Sequence, residues 1–487
     1  MQQNDNLNRY NVTDGKPVRF PCERFPENPS LARLLGVYPQ RPEGLFMQRV
    51  KAPAGRLTLE QWQGLAALAA RYTPEYPLHV TTRQNLELHG VRKDDLPALQ
   101  RGIDSLGLTG AAACGDSVRN ITVCPRNECC PGTWDVSELV RAIRTAVESL
   151  PWRENLPRKF KISVSGCREA CGRPWINDLG LVANPDGDFR VILAGSLGAK
   201  PDLGLLVYDA LPLGDVLPLV VAVLRLFHAE GDRTNRTRAR LRHLRQRLGE
   251  EVFRSRVDER LKVEKREGNW PAPTLRRLEA AVPLRERLCL PLGDIGPDMV
   301  LEMIEAVRTA GGEVRLGVCH DLLIFAKMEP SLGPRLLALR STNSVVACPG
   351  ATWCTRGLVD SRAAACRIRR ALPGDCEILV GVTGCPNNCS QAATADIGLI
   401  GRLLRRSGQE RVEGFRLLAG GGKGQTPTLA EELHPGLFAE AAHEAVAWLA
   451  REYQPARSDR ATSFADFVTA SGDALRCELA RRFGSCN

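Results

Sequence analysis

The chain has 487 residues, of which 43% are hydrophobic and 25% charged, enough for two to four domains with buried cores. This composition excludes a disordered or low-complexity protein. No run of about 18 apolar residues occurs, and residues 1–10 lack the apolar core of a signal peptide, so we expect a cytoplasmic protein without a membrane span. The formal net charge of +10 favours an anionic cofactor or an acidic electron donor.

The first predicted elements form a helix-and-strand unit. Residues 1 to about 50 are rich in Pro and Arg and are predicted to be irregular. A capping box at Thr58–Gln61 predicts the start of a helix with apolar residues at helical spacing. Residues 78–82 are predicted to form a strand, which Arg83 follows directly.

A basic segment lies farther along the first half. Residues 156–161 (LPRKFK) lead into a strand that ends at Cys167, after a helix predicted for residues 136–150. Because side chains alternate along a strand, Lys159 and Lys161 are expected on one face. Two lysines on the same face suggest a bound anion.

Residues 233–266 alternate Arg, Glu and apolar residues. Leucines recur at helical steps and opposite charges lie three or four residues apart, so the segment is predicted to be helical. Aromatic residues do not alternate with the basic ones, which favours a solvated linker between two halves over a nucleic-acid-binding helix.

The second half repeats the plan of the first. A helix carrying Val300 and Val307 is predicted to end at Gly311 and to be followed by a strand over residues 314–318. A helix over residues 357–371 corresponds to the one over 136–150. The last stretch is predicted to be helical through Phe464–Phe483 and to pack on the outside.

Two sets of four cysteines share one internal spacing. Each half contains a C-x5-C pair followed by a C-x3-C pair: Cys124, Cys130, Cys167 and Cys171 in the first half, and Cys348, Cys354, Cys385 and Cys389 in the second. Strand-like segments at Asp178–Val182 and Asp396–Ile400 follow at equal offsets, so the chain is an internal duplication. Four thiolates hold an iron–sulfur cluster or zinc, and the C-x5-C spacing favours the cluster. Cys129 is an alternative ligand to Cys130.

The two halves differ in their basic residues. The first half carries Arg83, Arg119, Lys159 and Lys161 near its cysteines. The aligned positions in the second half include Asn343, Glu377 and Leu379, and no arginine follows its corresponding strand. An anion is therefore expected to be held by the first half.

These motifs together resemble a known family. The TTRQNLELHGV segment at residues 81–91, the GD-x2-RN element before Cys124, the LPRKFK segment, CPGATWC and GCPNNC are similar to motifs of the siroheme- and 4Fe–4S-dependent sulfite and nitrite reductases. The resemblance runs from about residue 36 to about residue 422. It implies an α+β, internally duplicated architecture, with two ferredoxin-like half-domains and two siroheme/4Fe–4S-type domains about a pseudo-twofold axis.

The predicted domain limits combine this resemblance with the element pattern. They are 1–110 for an N-terminal extension and the first ferredoxin-like half-domain, 111–232 for the first siroheme/4Fe–4S-type domain, 233–270 for the Arg-rich helical linker, 271–340 for the second ferredoxin-like half-domain, 341–455 for the second siroheme/4Fe–4S domain and 456–487 for a helical tail.

The resemblance also implies cofactors and their residues. Siroheme and a 4Fe–4S cluster would be held by the second cysteine set and coupled through Cys389. Substrate would be contacted by the four basic residues of the first half, and the cofactor also by Gln84, Asn85 and Asn120. Simpler members of the family keep only the second cysteine set, so the first set predicts a second cluster, here in the same polypeptide.

The predicted reaction is the six-electron reduction of sulfite to sulfide. Nitrite enzymes of the family tend to have asparagine where this chain has Lys161, and a second cation suits a dianion. Reduction of nitrite to ammonia is the alternative. No G-x-G-x-x-G fingerprint for flavin or NAD follows a strand, so electrons are expected from a separate donor such as ferredoxin. A precorrin-oxidising enzyme of corrin biosynthesis and a non-enzymatic electron carrier are less favoured alternatives.

Overall fold

The part of the chain that the structure describes contains four sheets of three or more strands. This computed structural model describes residues 29–279, 282–374, 376–405, 410–422, 424–425, 427–457 and 462–484. Residues 1–10, for which no signal peptide was predicted, lie outside these ranges. In the described ranges, no helix is both long enough and apolar enough to cross a membrane.

The first unit is an antiparallel sheet backed by helices. Its elements are α1 (Pro29–Leu34), β1 (Val37–Pro39), β2 (Leu45–Lys51), α2 (Leu59–Tyr72), β3 (Leu78–Val80), β4 (Asn85–Arg92) and α3 (Leu96–Ser105). The predicted capping box is confirmed, because Thr58 and Gln61 each accept a hydrogen bond from the other's backbone N–H. Residues 29–50 are not irregular as predicted, since β2 pairs with β4 in the centre of the sheet.

The second unit carries the first cysteine set. Its elements are β5 (Thr122–Val123), β6 (Trp134–Asp135), α4 (Ser137–Glu148), β7 (Ile162–Ser165), β8 (Leu179–Ala183), β9 (Phe189–Leu193), β10 (Leu205–Leu211), α5 (Val216–Glu230), α6 (Leu241–Leu248) and α7 (Glu250–Glu267). The sheet order is β10-β9-β8-β7-β5, with β5, β7 and β8 parallel. Helix α5 is apolar around its whole circumference, so it lies buried beneath the others.

Helices α6 and α7 occupy the segment that was predicted to be a solvated linker. That expectation is wrong for their apolar faces, because Leu241, Phe253 and Val257 belong to the core of the second unit. An amphipathic helix covered by Arg and Glu has the same sequence pattern whether its apolar stripe is solvated or packed against a partner. Here the partner of α7 is α5.

The third unit resembles the first and shares its core. Its elements are β11 (Arg276–Arg277), β12 (Leu284–Cys289), β13 (Asp294–Ile295), α8 (Pro297–Thr309), β14 (Gly312–Leu316), β15 (Asp321–Ala326) and α9 (Pro334–Leu337). Strand β13 joins the sheet of the first unit, where Ile295 lies opposite Leu78. Helices α2 and α8 contribute to one hydrophobic core, so the two ferredoxin-like units are held together by burial of apolar surface.

The fourth unit repeats the second. Its elements are β16 (Ser344–Ala347), α10 (Gly350–Trp353), α11 (Ser361–Ala371), β17 (Leu379–Thr383), β18 (Ile397–Arg405), β19 (Arg411–Ala419), β20 (Glu431–Phe438), α12 (Ala442–Ala456) and α13 (Phe464–Phe483). The order β16-β17-β18-β19-β20 matches β5-β7-β8-β9-β10, with the first three strands again parallel. The predicted helix at Phe464–Phe483 is confirmed, and it packs against β20 and α12.

The duplication extends to unusual backbone conformations. Gln84 and His320 both have left-handed φ values, of 53° and 58°. Ala170 and Asn388, each one residue before the last cysteine of its set, have φ values of 51° and 56°. Positive φ is uncommon outside glycine, so its recurrence at matching positions shows that the two halves fold alike. The predicted α+β duplicated architecture is confirmed, whereas the domain limits stay a prediction.

Candidate active site

The second cysteine set lies at one edge of the sheet of the fourth unit. Cys348 follows β16 directly, and Cys385 lies two residues after β17. Because β16 and β17 are parallel, their carboxyl ends meet at that edge. Cys354 follows α10, and Cys389 lies in the loop after Cys385.

The thiols of this set lie in each other's electric field. The pKa of Cys389 is raised to about 12, mainly by burial and also by the nearby Cys348 and Cys385. The Gly384 N–H donates to Cys348 Sγ at 3.1 Å, and the Arg356 N–H donates to Cys354 Sγ at 3.4 Å. Thiols in this state are deprotonated when a metal binds, and N–H donors to sulfur are typical of iron–sulfur centres.

The predicted arginines are held on the first half by backbone carbonyls. Arg83, in the turn between β3 and β4, donates to Asn177 Oδ1 at 2.7 Å and to Asn120 O at 2.8 Å. Arg119, shortly before β5, donates to Ala113 O at 2.8 Å. These bonds fix two guanidinium groups in place without neutralising their charge.

The predicted lysines lie beside these arginines, just before β7. The pKa of Lys159 is lowered to about 7, mainly by burial and also by the nearby Arg240 and Arg119. Burial also lowers the pKa of Lys161, and the nearby Arg83 adds to the effect. Such crowding of like charges is costly without an anion, so the cluster is built to receive one.

The basic face of the first half meets the cysteine loop of the second. Lys159 is close enough to Cys389 that each shifts the pKa of the other toward its charged form. Thr82 Oγ1 donates to Cys389 O at 3.4 Å, and Gln391 Nε2 donates to Thr82 O at 3.4 Å. The structure therefore brings the predicted cations and the predicted second-half ligands to one place.

Several buried polar atoms around this place have no hydrogen-bond partner. They include Arg83 Nε and Arg119 Nε on one side, and Asn388 Nδ2 and Ser390 Oγ next to Cys389 on the other. Buried donors in proteins are normally satisfied. A tetrapyrrole with many carboxylates, together with an oxyanion, would supply the missing acceptors, so these residues fit siroheme.

The three predicted cofactor contacts differ in their surroundings. Gln84 Nε2 donates to Leu316 O and Gln84 Oε1 accepts from the Val123 N–H, both at 2.9 Å. The Asn120 side chain likewise donates to backbone carbonyls, at 2.9 and 3.1 Å. Both residues position loops, whereas Asn85 Oδ1 is buried without a partner and is free to meet a ligand.

Sequence reasoning missed Arg240. It lies just before α6, in the segment taken for a solvated linker, and its Nη2 is 2.7 Å from Asp178 Oδ2. That fully buried oxygen also accepts the Lys161 N–H at 2.8 Å. The duplication offered a signal for the carboxylate, since Asp396 accepts the Leu379 N–H in the same way at 2.6 Å.

The first cysteine set is also brought together. Cys124 and Cys167 follow β5 and β7, as their counterparts follow β16 and β17. The nearby Cys171 raises the pKa of Cys124, and burial together with Cys171 raises the pKa of Cys130. Cys129 faces charged residues of the third unit instead. In the described ranges, no three His, Cys, Asp or Glu side chains are close enough together to bind one metal ion. A 4Fe–4S cluster contains four iron atoms, so its cysteines lie farther apart than the ligands of a single ion.

Family models match most of the chain. The nitrite and sulphite reductase 4Fe-4S domain matches residues 114–265 and 340–461, and the nitrite/sulfite reductase ferredoxin-like half domain matches residues 38–106. The first match includes α6 and nearly all of α7, in agreement with their burial in the second unit.

Individual proteins are similar over nearly the same length. A ferredoxin–nitrite reductase of Leptolyngbya laminosa is 32% identical over 450 residues, covering 83% of this chain and 86% of that protein. The assimilatory ferredoxin-dependent nitrite reductase of Haloferax mediterranei is 30% identical, covering 90% and 84%. The structure of the Mycobacterium tuberculosis NirA protein shares the fold, with a TM-score of 0.77, 24% identity and coverage of 91% and 90%. The chain therefore belongs to the nitrite and sulfite reductase family, oxidoreductases that use siroheme and a 4Fe–4S cluster.

Proposed function

We propose that this enzyme reduces nitrite to ammonia with electrons from a ferredoxin, and that sulfite is its second candidate substrate. The names of the relatives at 30–32% identity support both nitrite and the donor. The single observation that carries the reaction is the group of four cations beside Cys389, since an oxyanion bound there is neutralised where electrons arrive. A cytoplasmic location suits the thiols, which stay reduced there.

The basic residues have separate tasks in this proposal. Siroheme and its coupled cluster, when bound, supply the iron that receives substrate and the electrons for its reduction. Arg83 and Arg119 keep their charge permanently and are fixed by carbonyl oxygens, so they orient the oxyanion. Lys159 and Lys161 neutralise charge and can give up protons as oxygen atoms leave as water. Arg240 and Asp178 hold the backbone at Lys161 in place.

Sulfite remains the second candidate substrate because Lys161 adds a positive charge to the site. Two lysines and two arginines exceed what a singly charged nitrite needs, and a doubly charged oxyanion would use the additional cation. The relatives named above are nitrite reductases, which favours nitrite, and their similarity covers 83–90% of this chain. The net charge of the site and the identity of the relatives thus favour different substrates, and we give more weight to the relatives.

Steady-state kinetics with reduced ferredoxin tests the proposal. We expect a higher kcat/KM for nitrite than for sulfite when both are normalised to bound siroheme, and no turnover with NADPH alone. A higher efficiency for sulfite would reverse the order of the two substrates. Failure to reduce either oxyanion by a siroheme-loaded preparation would overturn the proposal.

A further inference from the structure

We propose that Cys124, Cys130, Cys167 and Cys171 hold a second 4Fe–4S cluster, and that no tetrapyrrole accompanies it. This centre would exchange single electrons with a low-potential donor or with the active-site cluster, and would not bind substrate. The proposal goes beyond the proposed function, because it does not depend on which oxyanion is reduced.

The backbone holds the first cysteine set as it holds the second. The Cys124 N–H donates to Val164 O, and the Cys348 N–H donates to Val382 O, each at 3.2 Å. In both halves, the strand carrying the first cysteine is parallel to the strand before the third. The two loops that follow the parallel strands, and that carry the cysteines of one cluster, therefore occur in both halves.

The next loop also repeats in its hydrogen bonds. The Ala170 N–H donates to Cys167 O at 3.2 Å, and the Asn388 N–H donates to Cys385 O at 3.3 Å. These residues have the shared left-handed φ described above. Such a conformation costs energy in residues with a side chain, and it is retained here in both loops. The same turn thus presents the last two cysteines of each set.

Cys129 is held away from this centre. It lies near the Arg315 and Glu313 side chains, which are part of an ion-pair network with Arg56 and Glu128. Arg315 is almost fully buried, and its guanidinium also donates to Asn127 O. The network closes the gap between the second and third units at this point. Cys130, not Cys129, is left beside the other three thiols.

A tetrapyrrole beside the first cysteine set would lie against a surface of the second half, and that surface is apolar. Cys319 stands at the position of Arg83, and Leu379 at that of Lys161. Both pack with Val346 in a small apolar cluster. Siroheme carries many carboxylates, and burying them is unfavourable where the four cations of the first half are replaced by Cys319, Asn343, Glu377 and Leu379.

Two charged residues also make this surface unsuited to a tetrapyrrole. Glu377 stands at the position of Lys159 and forms an ion pair with Arg457, so this position has a carboxylate where the first half has an ammonium group. Arg173, two residues after Cys171, donates to Cys319 Sγ at 2.9 Å and to Gln391. Its guanidinium thereby ties the two cysteine loops together.

Counting metal and cofactor in the anaerobically purified, fully loaded protein tests the proposal. Two clusters and one siroheme give about nine irons and about eight acid-labile sulfides per siroheme. One siroheme per chain is expected from extraction and absorbance. About five irons per chain in a preparation with one siroheme per chain would overturn the second cluster. Two sirohemes per chain would overturn the absence of a tetrapyrrole in the first half.

A pair of variants tests the ligands. The double variant Cys124→Ser/Cys167→Ser should fall to about five irons per siroheme and lose the reduced-cluster EPR signal of the second centre, while keeping its siroheme. Cys129→Ser is the matched control and should keep about nine irons. A double variant with unchanged iron would contradict the assignment. If that variant does not fold, the count on the unsubstituted protein still decides, and neither count depends on nitrite or sulfite turnover.

Discussion

Arg83 and Cys319 occupy the same turn in the two halves, and their neighbours Gln84 and His320 share a left-handed φ. Only Arg83 brings a charge, and it does so next to Arg119 and the two lysines. The backbone of the duplication has been kept, whereas a few side-chain changes concentrate positive charge on one side. A few single residues thus decide which half carries the positive charge of the site.

Replacement of Cys389 by serine should abolish nitrite and sulfite reduction. A serine hydroxyl is a poor replacement for the thiolate that links cluster and siroheme in our proposal, so both substrates lose their electron path. Turnover and the visible spectrum of the variant are the measurements. Cys366→Ser, in helix α11 of the same unit and outside both sets, is the control and should stay active. Near-normal turnover of Cys389→Ser would contradict the assignment.

Replacement of Lys161 by asparagine should shift selectivity toward nitrite. Loss of one charge and one donor should cost about 2–4 kcal/mol of transition-state stabilisation for sulfite and less for singly charged nitrite. The measurement is kcat/KM for both substrates per bound siroheme. An equal loss for both would leave the ratio unchanged; it would rule out a role of Lys161 in discrimination and indicate that this lysine pairs with the cofactor.

The residues of the site were predictable to different extents. Arg83, Lys159 and Cys389 belong to recognisable motifs, and the structure brings them together. Arg240 could not be found, because its role comes from the packing of α6 against the sheet and not from a local pattern. Gln84 was predicted to bind cofactor, but its amide is used by Leu316 and the Val123 backbone.

At the scale of elements, helix α7 offers a direct test of its burial. Phe253 is fully buried, whereas its neighbour Val252 is 48% exposed. Phe253→Ala should lower the free energy of unfolding by about 3–5 kcal/mol, through lost burial and a cavity. Val252→Ala is the control and should change it by less than about 0.5 kcal/mol. Urea denaturation measures both, and equal effects would mean that α7 is a solvated linker after all.

Elements with local signals were predicted best. Helix α2 has a capping box and α8 an apolar stripe, and both were found close to their observed limits. Strand β13 has only two residues, and it is defined by pairing with β3 from the other half. No local pattern encodes such a pairing. The burial of α6 and α7 was missed for the same reason, since it depends on α5.

At the scale of the molecule, His320 should make stability depend on pH. Its ring lies 5.1 Å from that of His79, between the first and third units. The pKa of His320 is lowered to about 3, mainly by burial and also by the charge of His79. Below about pH 6.5, the unfolded chain binds a proton that the folded chain does not, so stability is complete above that pH and is lost as the pH falls.

The expected loss from His320 is about 1.4 kcal/mol between pH 7.5 and 5.5. Urea denaturation at both values measures it. His320→Gln should reduce this dependence, and glutamine is tolerated in the same left-handed turn as Gln84. An unchanged pH dependence in His320→Gln would show that other groups cause it.

The pairing of β13 with β3 also bears on the order of events during synthesis. The basic face of the active site leaves the ribosome early, while β13, Cys348 and Cys389 emerge only later. Until then, one edge of the first sheet has no partner and the cations face no thiolates. A chain that has emerged only through its third unit therefore carries the first cysteine set but lacks Cys348, Cys354, Cys385 and Cys389, the proposed ligands of the active-site cluster. Insertion of siroheme and of the cluster coupled to it is therefore expected only after the fourth unit has emerged, whereas the cluster proposed for the first cysteine set needs none of that unit's cysteines.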